Sequence, residues 1–135
     1  MADKDITTRI NGTTSLPIIT ITSNGTANGS VIDMFGYDAI NFDFLSGNAI
    51  GADVTVTMEH DDDAGFATAV AVPSKFIIGE LPSFLIAGAE TNTVKSVGYV
   101  GKKRYVRVSI TSANYAADTQ IAGIANRGDA RVNPV

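Results

Sequence analysis

Apolar and polar residues alternate along much of this chain, and the alternation predicts strands. Val106, Val108 and Ile110 interleave with Tyr105, Arg107, Ser109 and Thr111. Successive side chains of a strand point to opposite faces, so the three aliphatics share one face and the polar set the other. Burying each aliphatic is worth about 1.5–3 kcal/mol, which assigns their face to a core. The same pattern recurs over Asp38–Leu45, where Ile40, Phe42 and Phe44 alternate with Asn41 and Asp43. It is cleanest over Ala52–His60, with Val54, Val56 and Met58 set against Asp53, Thr55, Thr57 and Glu59. The whole stretch Val97–Ile110 reads as a strand, a tight turn and a second strand.

Weaker segments fill the intervals. Pro17 opens a strand over Ile18–Thr22, since proline is tolerated where no ladder donor is needed. Asn24-Gly25 and Asn28-Gly29 are turn signals. Ser30–Met34 predicts a short strand ended by Gly36, and Ser46-Gly47-Asn48 turns the chain. Phe66–Val72 fits a short strand or a helical turn, and Pro73 disfavours helix at Val72. Phe76–Gly79 predicts a strand, and Pro82–Ala89 is apolar, irregular and partly exposed. Thr93–Val100 returns to strand, Asn114–Thr119 is a loop, and Gln120–Ala125 is the last strand. No stretch has helical periodicity at useful length, and no internal repeat is visible. Strands about every ten residues, joined by Gly and Asn turns, predict an all-β chain: an antiparallel two-sheet β-sandwich, jelly-roll or Ig-like. A small closed barrel is the alternative. Residues 1–16 are polar and read as an extended N-terminal arm or a loose terminus. Residues 17–126 form the single domain and 127–135 a polar C-terminal tail.

Composition narrows the function. The 135 residues suffice for one domain with a core, and the charged fraction of 18% is low for a globular chain. A net charge of −4 argues against a general nucleic-acid binder, which needs surplus Lys and Arg to neutralise phosphate. With no cysteine there is no disulfide framework and no thiolate metal site. The start, Met1-Ala2-Asp3-Lys4-Asp5, lacks a basic-then-apolar signal. The apolar run Phe76–Ala89 is broken by Glu80 and Pro82 and falls short of the roughly 20 residues that span a bilayer.

Five features are weighed against chemistry. Glu59-His60-Asp61-Asp62-Asp63 is the one dense group of oxygen ligands, but its spacing is not that of a calcium loop, and a solvated acidic turn after a strand fits it better. His60 is the sole histidine and no Gly-x-Ser-x-Gly nucleophile element accompanies it, so a strand-end histidine without chemistry is expected. Gly98-Tyr99-Val100-Gly101-Lys102-Lys103 has only two residues between its glycines, against four in a phosphate loop. Lys102, Lys103, Arg104 and Arg107 make a basic patch. Its readings are contact with an acidic neighbouring subunit or pairing within the chain around Asp61–Asp63, with nucleic acid disfavoured by the net charge. Arg127-Gly128-Asp129 is read as a turn in the tail. No catalytic, cofactor-binding or metal residues are expected.

The words Gly98-Tyr99-Val100-Gly101-Lys102-Lys103-Arg104-Tyr105-Val106-Arg107-Val108, a polar loop and then Ile121-Ala122-Gly123-Ile124-Ala125 resemble small virion structural proteins of tailed bacteriophages. The acidic segment at 59–63 and the proline-ended tail fit the same pattern, and the likeness spans residues 38–135. It resembles capsid decoration, or cement, proteins and related head proteins. That likeness implies a non-enzymatic role on the phage head, made in the host cytoplasm. The implied partners are the major capsid protein and neighbouring copies of the chain, as a homo-oligomer, with no direct nucleic acid, no membrane and no cofactor. The contacts would come from residues 1–16, Pro82–Ala89 and the tail after Asn126. A tail or head–tail joining protein is the alternative within that class. A carbohydrate-binding sandwich is a further one, disfavoured by the absence of Trp.

Overall fold

The computed structural model describes residues 11–130 and is nearly all strand. The first five strands are β1 (Asn11–Ile21), β2 (Gly25–Asn28), β3 (Ile32–Asp33), β4 (Tyr37–Ser46) and β5 (Asp53–Asp61). Three two-residue strands follow: β6 (Val70–Ala71), β7 (Ile77–Ile78) and β8 (Ser83–Phe84). The last are β9 (Val94–Tyr99), β10 (Tyr105–Ala113) and β11 (Thr119–Ala130). Single 3-10 turns at Ser74–Phe76 and Ile86–Gly88 are the helical content of the described residues.

The strands form two antiparallel sheets packed face to face. One runs β1-β11-β4-β9-β7. In the other, β10 and β5 are central, with β2 and β3 flanking β10 and β6 and β8 flanking β5. The pairings nest: β1 with β11, β2 with β10, β4 with β9 and β5 with β8. That is one long hairpin rolled up, the jelly-roll form of the β-sandwich. The sheets do not close into a barrel.

The core lies where the alternation placed it. Ile40, Phe42 and Phe44 face inward from β4, as do Val54, Val56 and Met58 from β5 and Val106, Val108 and Ile110 from β10. In the β10–β5 ladder Val108 lies opposite Met58 and Ile110 opposite Val56. Phe84 and Tyr99, both 0% exposed, complete the aromatic layer between the sheets.

Four local expectations change. The strand–turn–strand at 97–110 is no hairpin: β9 and β10 lie in opposite sheets, and residues 100–104 cross the end of the sandwich. Alternation records which residues face the core, not from which side they face it. The strand expected from Pro17 begins at Asn11, so residues 11–16 of the expected arm are paired strand with Leu16 buried. Residues 1–10 of that arm lie outside the described residues. At the other end β11 continues past Ala125 to Ala130, so Arg127-Gly128 is strand opposite Ile40 and Ala39 rather than a turn. Residues 131–135 of the tail also lie outside the described residues. Gly29 supplies room rather than a turn conformation: a Cβ there would sit 2.4 Å from both the Ser15 and Val108 carbonyl oxygens. The Gly29 N–H donates to Val108 O and the Ser30 N–H to Ser15 O, each at 2.8 Å, stitching the two sheets at this seam.

Val108→Asp places an unpaired carboxylate in this core. The expected loss is several kcal/mol, against a typical total of about 5–15 kcal/mol. Thr55→Asp, on the exposed face of β5, is expected to leave stability within about 0.5 kcal/mol. Urea denaturation of the two variants checks the assignment of faces.

Candidate functional site

The chemistry-bearing residues gather at one end of the sandwich, where β5 ends, β4 begins and residues 100–104 cross from one sheet to the other. Strand β5 carries His60 inward, to 4% exposure. Its Nδ1 lies 2.8 Å from the Tyr99 hydroxyl, a hydrogen bond that links the two sheets. Phe76 and Tyr99 flank the imidazole at ring distances of 6.3 and 5.7 Å. Gly101 folds over the phenol so closely that a Cβ would fall 2.3 Å from its oxygen. Burial pushes the Tyr99 hydroxyl up to about 12, although the Lys103 backbone N–H donates to the same oxygen and works the other way. Burial also lowers His60, and the nearby Lys103 charge adds to the effect.

The acidic turn is built into the loop that follows β5. Asp61 is buried and accepts from the Thr68 N–H at 2.9 Å, the Thr68 hydroxyl at 2.9 Å and the Asp63 N–H at 3.2 Å. Burial works to raise the Asp61 carboxyl, but these donors outweigh it and hold the group below its ordinary range. Asp63 accepts from the Gly65 and Ala67 N–H groups at 3.3 Å each. The lone pairs of Asp61 and Asp63 are thus spent on the loop itself. Among the described residues, no three His, Cys, Asp or Glu side chains converge as a metal site.

The basic patch pairs within the chain. Lys103 Nζ donates to Asp62 Oδ2 at 3.0 Å, and the Arg104 N–H donates to Asp62 Oδ1 at 3.2 Å. Arg104 grips Asp33 with Nε and Nη2, both at 3.0 Å, and its guanidinium lies 5.0 Å from the rings of Phe35 and Tyr105. The Lys103 bond lowers Asp62 and the Arg104 bond lowers Asp33. Arg107 donates to Glu59 at 2.9 Å and covers the Phe66 ring at 4.7 Å. Arg127 donates to Asp33 O at 3.0 Å and to Asn11 Oδ1 at 2.7 Å, over the Tyr37 ring. Of the basic patch, Lys102 alone has no ion pair among the described residues. Residues 98–103 lead into strand β10 rather than a helix, so they lack the helix N-terminus of a phosphate loop. A cleft of about 490 Å³ opens here, lined by Phe35, Tyr37, Asp62 and Lys102–Arg104.

The second candidate is a face. On the outer side of the five-stranded sheet, Leu45 stands in register with Ala122 on one side and Val94 on the other. Leu45 is 49%, Val94 61% and Ile124 54% exposed. The next row sets Asp43 between Ile124 and Ser96. Asp43 accepts hydrogen bonds from Asn41 Nδ2 at 2.9 Å, Asn126 Nδ2 at 3.1 Å and the Ser96 hydroxyl. Sequence reasoning missed this patch, although its signal was present. Leu45, Val94 and Ile124 are large aliphatics at the polar register of their strands. Pro82–Ala89, expected to make contacts, divides: Pro82 and Phe84 are buried, while Leu85 and Ile86 are 41% and 38% exposed.

No protein-family model and no curated protein matches the chain. Among solved structures, one similar chain is from Bacillus endospore appendages, described as a novel family of disulfide-linked pili. It is 16% identical, with 89% of this chain and 88% of that chain covered and a TM-score of 0.47. Another is infectious bursal disease virus VP2 in its subviral particle, 13% identical, with 94% of this chain and 42% of that chain covered and a TM-score of 0.32. One is an appendage protein and the other a capsid protein; at these scores neither likeness carries the functional argument. No helix among the described residues is long and apolar enough to cross a membrane.

The buried pair sets the pH limits of the fold. Unfolded, His60 protonates near pH 6.5; folded, it resists the proton, so its contribution is complete above that pH and declines as pH falls below it. The lowered Asp33, Asp61 and Asp62 add a second acid loss, below about pH 4. Tyr99 acts at the alkaline side, its contribution fading between pH 10 and about 12. The melting temperature is expected to hold from about pH 7 to 9 and to begin falling below about 6.5. Tyr99→Phe, which strips His60 Nδ1 of its partner, is expected to cost about 1–3 kcal/mol by denaturant titration at pH 8.

Proposed function

We propose that this chain is a non-enzymatic structural protein of a virion, a decoration or cement protein on the head of a tailed phage. The observation that carries the reading is the outer face of the five-stranded sheet. Leu45, Val94 and Ile124 stand exposed there in adjacent rows, and the one charged side chain of that face among the described residues, Asp43, is hydrogen-bonded to Asn41 and Asn126. A contiguous apolar patch on a small domain is a surface meant for a partner. The resemblance of Gly98–Val108 to phage virion proteins supplies the partner: the assembled major capsid protein.

The mechanism is adhesive. The sandwich is a rigid platform laid across a junction between shell subunits. A face present only on the assembled shell favours assembly by linkage, because each bound copy stabilises that state alone. Repetition over the lattice multiplies weak contacts. Asn11 pairs with Arg127, and Ala130 with Tyr37, so both ends of the described chain leave the same end of the five-stranded sheet.

Leu45→Lys with Val94→Glu leaves the core untouched, since both side chains are exposed and the two new charges, facing each other across β4 and β9, are of opposite sign. The double variant is expected to keep the wild-type melting temperature within about 2–4 °C, as surface changes do. Its occupancy on undecorated phage heads, measured against concentration, is expected to fall at least about tenfold. Unchanged occupancy removes the face from the contact and the reading with it.

A further inference from the structure

Among the described residues the two sheets end in six edge strands of very unequal kind. β3, β6, β7 and β8 are two residues long and β2 is four. β1 is eleven residues long, pairs on one side with β11, and has no charged residue from Asn11 to Ile21. Short strands, charges, proline and bulges are how a sheet edge is kept from pairing with another chain. β1 uses the last two around its middle: Pro17 and two register shifts flank Leu16, and the Ser30 N–H occupies the Ser15 carbonyl. Beyond them nothing among the described residues blunts the run Ile18-Ile19-Thr20-Ile21. Its register with β11 is regular over Ile19–Ile21, its residues are strand formers, and Ile18 is 78% exposed.

We propose that this part of β1 pairs antiparallel with the same segment of a second copy, about a two-fold axis near Thr20. A two-fold contact uses the same patch on both partners, so one pairing satisfies both free edges. The uncharged segment has no like charges to bring together, and β1 is the one long edge strand among the described residues. The two five-stranded sheets then continue into each other across the axis. Their outer faces become one surface carrying Leu45, Val94 and Ile124 twice. This deepens the structural reading above and rests on it for its use, but the pairing is measurable without a shell.

The test uses the full chain. Sedimentation over a wide concentration range is expected to show a monomer–dimer equilibrium. Thr20→Lys sets like charges opposite one another at the axis and Ile18→Lys adds a charge on either side of it; together they are expected to weaken the dimer at least about tenfold while leaving the melting temperature of the dilute monomer unchanged. The chain has no native cysteine, so a single introduced thiol reports one position. Thr20→Cys is expected to form a disulfide-linked dimer under mild oxidation and Thr55→Cys, on the other sheet, to stay monomeric. A wild type that is monomeric throughout, a double-lysine variant that dimerises like wild type, or cross-linking through Thr55→Cys as readily as through Thr20→Cys overturns the pairing. Binding of the wild type to undecorated heads separates the two ideas. Shell binding by a wild type that never dimerises refutes the edge pairing and leaves the structural role standing. A dimer that ignores the shell does the reverse.

Discussion

The aromatic layer between the sheets constrains everything else in this domain. Phe42 and Phe44 enter it from β4, Tyr99 from β9 and Phe84 from β8, and all four are fully buried. Such side chains are large, so two sheets that share them are held at one spacing and tolerate little sliding. The rolled-hairpin connectivity then forces the chain over the ends of the sandwich wherever it changes sheets. Those crossings are tight. Gly29 lies between two carbonyl oxygens, and Gly101 lies on the Tyr99 hydroxyl. Tyr99 is long enough to reach the far sheet, where its hydroxyl meets His60. The crossing at 100–104 is therefore fixed from below, and that places Lys103 and Arg104 against Asp62 and Asp33.

How much of this was readable in the sequence follows from what alternation encodes. Facing is a property of one strand, so the inward sets at Phe42, Val56 and Val108 were legible. Sheet membership is a property of two strands, and nothing in Val97–Ile110 distinguishes a hairpin from a crossing. Strand length was misread at both ends for a related reason. Asn11–Ser15 and Asn126–Ala130 are polar or small, yet they pair with each other and with β4, because backbone hydrogen bonds need no apolar side chain. The acidic turn was legible as a turn. That Asp61 is buried and closes the loop onto Thr68 was not, since it depends on a hydrogen bond seven residues away. The His60–Tyr99 bond spans thirty-nine residues and two sheets, beyond the reach of any local pattern.

The charges are unevenly spent, and this shapes how the molecule can meet others. The cations Lys103, Arg104 and Arg127 are held at one end of the sandwich, each by a partner and two of them against aromatic rings. Exposed pairs of this kind contribute little to stability, typically about 0–1 kcal/mol. Their effect is to pair Lys103 and Arg104 with carboxylates while keeping them hydrated; Arg127, held by the Asp33 carbonyl and Asn11, keeps its charge. Arg107 and Glu59 do the same on the outer face of the other sheet.

What remains nearly free of charge is the outer face of the five-stranded sheet and its β1 edge. A domain that works alone gains from scattering charge there, because charge on a long edge is the cheapest protection against pairing. This chain places its charge elsewhere and leaves β1 with proline and bulges at its centre only. Approach of a second copy through the other surfaces brings desolvation of paired ions, which is costly. Approach along β1 brings none, and approach over Leu45 and Val94 meets only the hydrogen-bonded Asp43 carboxylate among the described residues. The selectivity of assembly in the proposed role thus comes less from strong contacts at one surface than from the electrostatic cost of using any other.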